Sequence, residues 1–229
     1  MLILAVDTSG KSGGITLAEG DKKSFHALES SPIAGGTFSA QLVPAIASLL
    51  ERHSVAAKDI GGFAVASGPG SFTGLRVGLS GVKGLAEVLG TPIATVSLLE
   101  ALASLSRKSG RVVAALDAGR SEVFFGLYEV SAAGEASKIS ERLLARSEFL
   151  QQLNDGSLQG AITSDAALAQ LAAAAPSKVQ IQVVERPGSE TIARLGLKKL
   201  LAGQTISVDA LDANYLRSSD AELFFKGHG

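Results

Sequence analysis

Residues 61–103, GGFAVASGPGSFTGLRVGLSGVKGLAEVLGTPIATVSLLEALA, constrain this chain more than any other stretch. Residues 62–66 form a short apolar run of the kind a buried strand uses. Ser67-Gly68-Pro69-Gly70-Ser71-Phe72-Thr73-Gly74 follows, a loop that Gly and Pro keep out of regular structure. Leu75, Leu79, Val82, Leu85, Ala86 and Leu89 then recur at helical spacing. Gly90-Thr91-Pro92 stops the helix, and residues 93–96 begin a second strand. Strand, tight loop, helix and strand make a crossover unit, so the chain is an α/β protein.

The helix carries Gly74, Gly78 and Gly81 on one face. Each costs about 1 kcal/mol against Ala in a helix interior, and close approach of another backbone is the usual offset. The stripe either packs on the protein's own sheet or meets a helix of another protein. A phosphate reading of the preceding loop meets two obstacles. Gly68-x-Gly70-x-x-x-Gly74 is one residue too long for the dinucleotide fingerprint, and no Gly-Lys-Ser/Thr follows. A structural turn is the better reading.

The 229 residues suit one large domain or two small ones, and 46% apolar content supplies a full core. With 5% aromatic residues, no Trp and a net charge of −1, the chain has no electrostatic footprint for nucleic acid or anionic membrane. Without Cys it has no disulfide framework and no thiolate nucleophile. MLILAVDTSG lacks a basic leader and Asp7 ends its apolar run, and no apolar run approaches the length of a membrane span. A cytoplasmic protein is expected.

In chain order, residues 2–6 read as a strand ending at Asp7-Thr8-Ser9, with a return strand from Ile15 and a third over residues 24–29. Residues 30–37 read as a polar loop. Ser39 is the expected N-cap of a helix to about Arg52, kinked at Pro44. After a helix over residues 97–107, Lys108-Ser109-Gly110 is the clearest boundary, dividing the chain into 1–108 and 109–229. The second part offers strands at 123–130, 139–144, 160–163 and 179–184. Its helices fall at 147–153, 166–175 and 189–201, the last capped by Ser189 and able to pack back on the first half. Residues 206–229 read as mostly irregular. Residues 112–120, VVAALDAGR, echo the N-terminal LILAVDTSG; setting Asp117 on Asp7 also matches Phe125 with Ile15, Leu127 with Leu17 and Glu129 with Glu19. Two such openings suggest a duplicated fold.

Asp7 and Asp117 each end an opening strand and are the catalytic candidates by pattern. Paired Asp residues in a duplicated fold hold a metal–nucleotide complex, with Thr8 and Ser9 as phosphate donors. The plainer alternative is that both Asp side chains cap turns. His26, His53 and His228 are too scattered for a metal pair, and no Gly-x-Ser-x-Gly elbow is present. Arg76, Lys83 and Arg120 lie near the two loops, available to a phosphate or to a partner's carboxylate.

Gly68-Pro69-Gly70-Ser71-Phe72-Thr73-Gly74-Leu75-Arg76-Val77-Gly78 resembles the signature of the bacterial YeaZ/TsaB family. Leu4-Ala5-Val6-Asp7-Thr8-Ser9, Val96-Ser97-Leu98-Leu99-Glu100-Ala101-Leu102, Leu116-Asp117-Ala118-Gly119-Arg120 and Tyr215-Leu216-Arg217 are similar to other family features. The resemblance implies a duplicated actin-like (ASKHA, RNase H-like) fold of two α/β subdomains with mixed sheets. It implies a role in making N6-threonylcarbamoyladenosine in tRNA, as the non-catalytic partner of a TsaD-type transferase, with a TsaE-type ATPase joining the complex and tRNA met only indirectly. It further implies a homodimer when the chain is alone, no bound cofactor in the isolated chain, and ATP or ADP with Mg only in the multi-protein complex. The catalytic paralogue's His-x-x-x-His pair falls on Leu98 and Leu102, which cannot bind metal. Relatives often carry Gly-His-Ser where this chain has Thr37-Phe38-Ser39. The family pairs through a helical bundle, which assigns Leu42, Ile46 and Leu49, with Gly74, Val77, Gly78, Ser80 and Gly81, to partner binding. The alternative is an actin-like ATPase or small-molecule kinase using Asp7 and Asp117. It calls for a glycine-rich adenosine loop in the second half, and residues 161–176 contain no Gly.

Overall fold

A computed structural model describes residues 1–175, 179–214 and 216. In chain order its elements are β1 (Leu2–Asp7), β2 (Ser12–Gly20), β3 (Phe25–Ala34), α1 (Phe38–Arg52), β4 (Gly62–Gly68), α2 (Phe72–Leu89), β5 (Ile93–Ser97), α3 (Leu98–Ala103), β6 (Gly110–Gly119), β7 (Glu122–Val130), β8 (Ala136–Ala145), α4 (Arg146–Gln152), β9 (Gly160–Thr163), α5 (Ala166–Ala173), β10 (Ile181–Val183) and α6 (Ser189–Leu201). One turn of 3₁₀ helix, Ala57–Asp59, precedes β4. Two compact units result, Met1–Leu98 with Pro187–Asn214, and Leu99–Arg186 with the described Leu216.

The first unit holds a five-stranded mixed sheet in the order β3-β2-β1-β4-β5. β1 pairs with β2 antiparallel and with β4 parallel, and β5 continues the parallel half. Period-two alternation sends Leu4, Val6, Ile15, Leu17, Phe63 and Val65 to one face, where α1 and α2 cover them with Leu42, Ile46, Leu49, Leu75, Leu79 and Val82. The opposite face belongs to α6. Gly196 lets that helix approach until an added Cβ would lie 2.2 Å from Ala64, and Leu200 sits over Gly62. An α/β/α sandwich follows because both faces of the mixed sheet carry apolar side chains that must be covered.

The second unit repeats the order, β8-β7-β6-β9-β10, with the same parallel and antiparallel pairings. α4 and α5 bury Phe149, Leu153, Leu168 and Ala172 on one face. Leu99 and Leu102 of α3 join Val112, Ala114, Tyr128 and Ile162 on the other.

Local differences from the sequence reading have identifiable causes. β3 runs through residues 30–34, where a loop is expected, because it is an edge strand and tolerates Pro32. α1 begins at Phe38 with Thr37 as N-cap, and the Thr37 hydroxyl turns back to the Ala34 carbonyl instead of capping. Ser189 is the first residue of α6, and its hydroxyl pairs with Thr16. The helix expected over residues 97–107 stops at Ala103, where the Ser104 hydroxyl donates to the Ala101 carbonyl. The units divide at Leu98/Leu99 rather than near Lys108, since Leu99 and Leu102 are buried against the second sheet. Tyr215, Arg217 and the tail after Arg217 lie outside the described residues, as does His228.

Candidate partner-binding face and the turn after the first strand

The turn after β1 is packed with its own chain. Asp7 is 1% exposed, and its Oδ1 accepts from both the amide (2.9 Å) and the hydroxyl of Ser9. Thr8 Oγ1 donates to the Gly74 carbonyl at 2.7 Å, and the Ser9 carbonyl accepts from the Ser71 amide at 2.7 Å. At Gly70 an added Cβ would lie 2.3 Å from the Ser9 carbonyl, and at Gly74 it would lie 2.0 Å from that of Thr8. The glycines therefore let the α2 N-terminus seat on the β1 turn. Ser71 caps the helix by accepting from the Gly74 amide at 3.2 Å. This is the structural-turn reading of the Gly-rich loop. The Thr8 and Ser9 hydroxyls, expected to face a phosphate, are spent within the chain.

The glycine stripe of α2 is likewise internal. A Cβ on Gly78 would sit 2.3 Å from Thr8 Oγ1, and one on Gly81 would sit 2.9 Å from Leu42 Cδ2. Leu42, Ile46 and Leu49 of α1 are all core. The assignment of the buried Leu42, Ile46, Leu49, Gly74 and Gly78 to a partner surface is thus corrected: the stripe brings α2 against β1 and α1 within one chain. Of the expected set, exposed Ser80 and half-buried Val77 and Gly81 reach the surface.

What α1 and α2 turn outward is a different set. Ala40, Val43 and Ala47 are exposed on α1, with Val43 58% accessible. On α2 the 100° step carries Val77 and Ser80 on to Gly84, and Val88 near the helix end is 84% accessible. Gly84 has nothing within 4 Å of an added Cβ. It is a mid-helix glycine whose cost no contact of its own chain offsets. The sequence holds this signal in Gly84 itself, a fourth helical glycine outside the stripe. Arg76 lies over the Phe72 ring, 3.8 Å from its centroid, beside this face.

In the second unit Asp117 is a turn residue. Its Oδ1 accepts from the Gly119 amide at 3.3 Å and from Arg146 at 3.2 Å, and its own amide donates to Asp165 at 2.8 Å. The hairpin beyond it turns through left-handed Gly119, Arg120 and Ser121. Sheet register shifts the internal echo by one residue. Val6 stands opposite Ile15 on the α1–α2 side, and Ala115 stands opposite Phe125 on the α4–α5 side. With Phe125 matching Ile15, Asp117 takes the place of Thr8 and not that of Asp7. Asp7 lies opposite Gly14, on the α6 side of its sheet, where Ser189 is the neighbour. The two carboxylates are therefore not equivalent.

Leu98 and Leu102 are both buried, Leu102 among Val112, Ala114 and Tyr128. His53 contacts Glu29 and His26 is exposed. Among the described residues no group of three or more His, Asp or Glu side chains is placed to hold a metal ion, and no helix is long and apolar enough to cross a membrane.

Two copies of one mixed-sheet topology, each central strand followed by an antiparallel meander and a parallel crossover, define a duplicated actin-like, RNase H-like fold. Residues 32–210 match the family model described as TsaD, tRNA N6-adenosine threonylcarbamoyltransferase. The tRNA threonylcarbamoyladenosine biosynthesis protein TsaB of Bacillus subtilis is 34% identical over 156 residues, 68% of this chain and 67% of that one. Its Escherichia coli namesake is 28% identical with 96% of each chain covered. The solved structure of YeaZ from Pseudomonas aeruginosa superimposes with a TM-score of 0.75 at 26% identity, covering 94% of this chain and all of that one. The chain belongs to the YeaZ/TsaB family, within the wider set that the TsaD model describes.

Proposed function

We propose that this chain serves tRNA threonylcarbamoyladenosine biosynthesis as a non-catalytic partner of a TsaD-type transferase, docking through the outward face of α1 and α2. The observation that carries the reading is Gly84. A glycine in mid-helix, open on its outer side and flanked one turn either way by exposed Ser80 and Val88, with exposed Val43 on α1, suits close packing of a partner helix. The internally bonded Asp7-Thr8-Ser9 turn supports a non-catalytic role, because its donors are committed to Gly74 and Asp7. The ATPase or kinase alternative is not favoured for the same reason, and because Asp117 does not share the position of Asp7. In this reading a TsaE-type ATPase joins the assembled complex, ATP or ADP with Mg binds only there, and the chain alone pairs with itself by the same face. The role belongs in the cytoplasm, with tRNA reached through the complex.

Co-purification by size exclusion with a TsaD-type transferase tests the face. The native chain is expected to co-elute, and Gly84→Leu to abolish co-elution while leaving circular dichroism unchanged. A surviving complex overturns the assignment of the face. Gly78→Leu is the wrong probe, since its side chain would strike Thr8 inside the fold. Omitting the chain from a reconstituted threonylcarbamoyl transfer to unmodified tRNA tests the role. Transfer is expected only with both proteins, and transfer by this chain alone would refute a non-catalytic part.

A further inference from the structure

α1 supplies half of the proposed face, yet little along most of its length fixes its roll. Thr37 makes no side-chain cap, and Pro44 removes one amide from the ladder. The buried stripe from Phe38 to Leu50 selects the inward side, but apolar contact is non-directional. Directional bonds gather at the last turn. There Arg52 reaches Glu29 of the edge strand β3 with two nitrogens, Nη2 to Oε1 at 2.5 Å and Nε to Oε2 at 3.3 Å. The same guanidinium donates to Ser31 Oγ at 3.0 Å and to Ser48 Oγ, one turn back on α1, at 2.7 Å. Glu29 also accepts from the Ser31 hydroxyl at 2.8 Å and meets His53 Nε2 at 2.9 Å. The Arg52 hydrogen bond, then those from Ser31 and His53, hold the Glu29 carboxyl down to about 2. A guanidinium–carboxylate fork has a planar geometry that a point charge lacks.

We infer that Glu29 is a positioning residue for partner recognition: clamped by Arg52 and His53, it sets the roll of α1 and so the aim of Ala40, Val43 and Ala47. The inference rests on the proposed docking role of that face. Exposed ion pairs add little to global stability, so the effect belongs in binding and local motion rather than in the unfolding midpoint. If α1 without its clamp holds the competent roll about a tenth of the time, apparent affinity falls about tenfold.

The test uses the full chain as native protein, Glu29→Gln, Arg52→Gln and the exchanged pair Glu29→Arg/Arg52→Glu. Amide hydrogen exchange of the free chain, a titration with the TsaD-type transferase and a thermal melt are read for each. Expected are faster exchange confined to the second half of α1, about tenfold weaker binding in both single variants, near-unchanged melting, and recovery of both readouts in the exchanged pair. Unchanged exchange and affinity in Glu29→Gln overturn the inference. So does weaker binding with unchanged exchange, which makes Glu29 a direct contact, and so does a fall in melting that accounts for the binding loss. If the native chain does not bind the transferase, the docking role fails while the exchange data still decide the clamp.

Discussion

At the scale of single residues, space and proton affinity give the sharpest expectations. Gly78→Ala places a methyl 2.3 Å from Thr8 Oγ1, so a cost of about 1–3 kcal/mol is expected in a urea denaturation. Glu29 has a second measurable consequence. Its folded-state value near 2 lies below the ordinary 4.5, so the contribution is complete above the ordinary value and is lost as pH falls from there toward 2. The stability difference between the native chain and Glu29→Gln, small because the pair is solvent-screened, is therefore expected to be constant above about pH 6 and to vanish toward pH 2; a difference that persists at pH 2 contradicts the carboxylate's role. Asp21 and Asp155 are lowered too, through backbone hydrogen bonds from Lys23 and from Ser157, and add to the same acid limb. Residue chemistry was the least legible layer in the sequence. Asp7 and Asp117 look equivalent in a gap-free match, but one more residue between the paired positions of β6 and β7, taken up where the register shifts between Asp117 and Gly119, moves Asp117 to the other side of its strand, and one-letter similarity is blind to that parity.

At the scale of elements, α1 ends in a Schellman arrangement, with the Val55 amide on the Leu50 carbonyl and the Ser54 amide on that of Glu51. Ser54 sits at φ +54, where glycine is at ease, so Ser54→Gly is expected to stabilise by about 1 kcal/mol in a thermal or urea melt. No change would mean that the clamp on Arg52 already sets the end of the helix. The crossover β4–α2–β5 was readable because Gly90 and the apolar period mark it without ambiguity, and the strand after Gly160 was readable for the same reason. Which side of α2 looks outward was not. Small residues lie on both sides of that helix, and only the closeness of Thr8 to Gly78, against open space at Gly84, tells them apart. Pro32 misled for a related reason: its cost depends on whether β3 is an edge, a property of the sheet and not of the segment.

At the scale of the whole molecule, the first unit is discontinuous in sequence. Its sheet gains the cover of α6 only from residues beyond Pro187, and Ile206 adds a bridge to Ile93 at the sheet's edge. Truncation after Arg186 therefore bares the face that carries Ile3, Ala5 and Ala64. The truncated chain is expected to be insoluble or to bind a hydrophobic dye strongly, and a well-folded truncation with native circular dichroism would contradict the sandwich. The same path sets an order of birth on the ribosome. The described strands of the second sheet and the helices that cover it, α3 to α5, all precede Pro187, so that sheet can be covered before α6 is made. The earlier-made half must wait roughly ten seconds at ordinary elongation rates for its missing layer. In this protein the sheet synthesised first gains its covering helix, α6, last among the described elements, and during that interval a half-dressed sheet is the surface a nascent-chain chaperone meets.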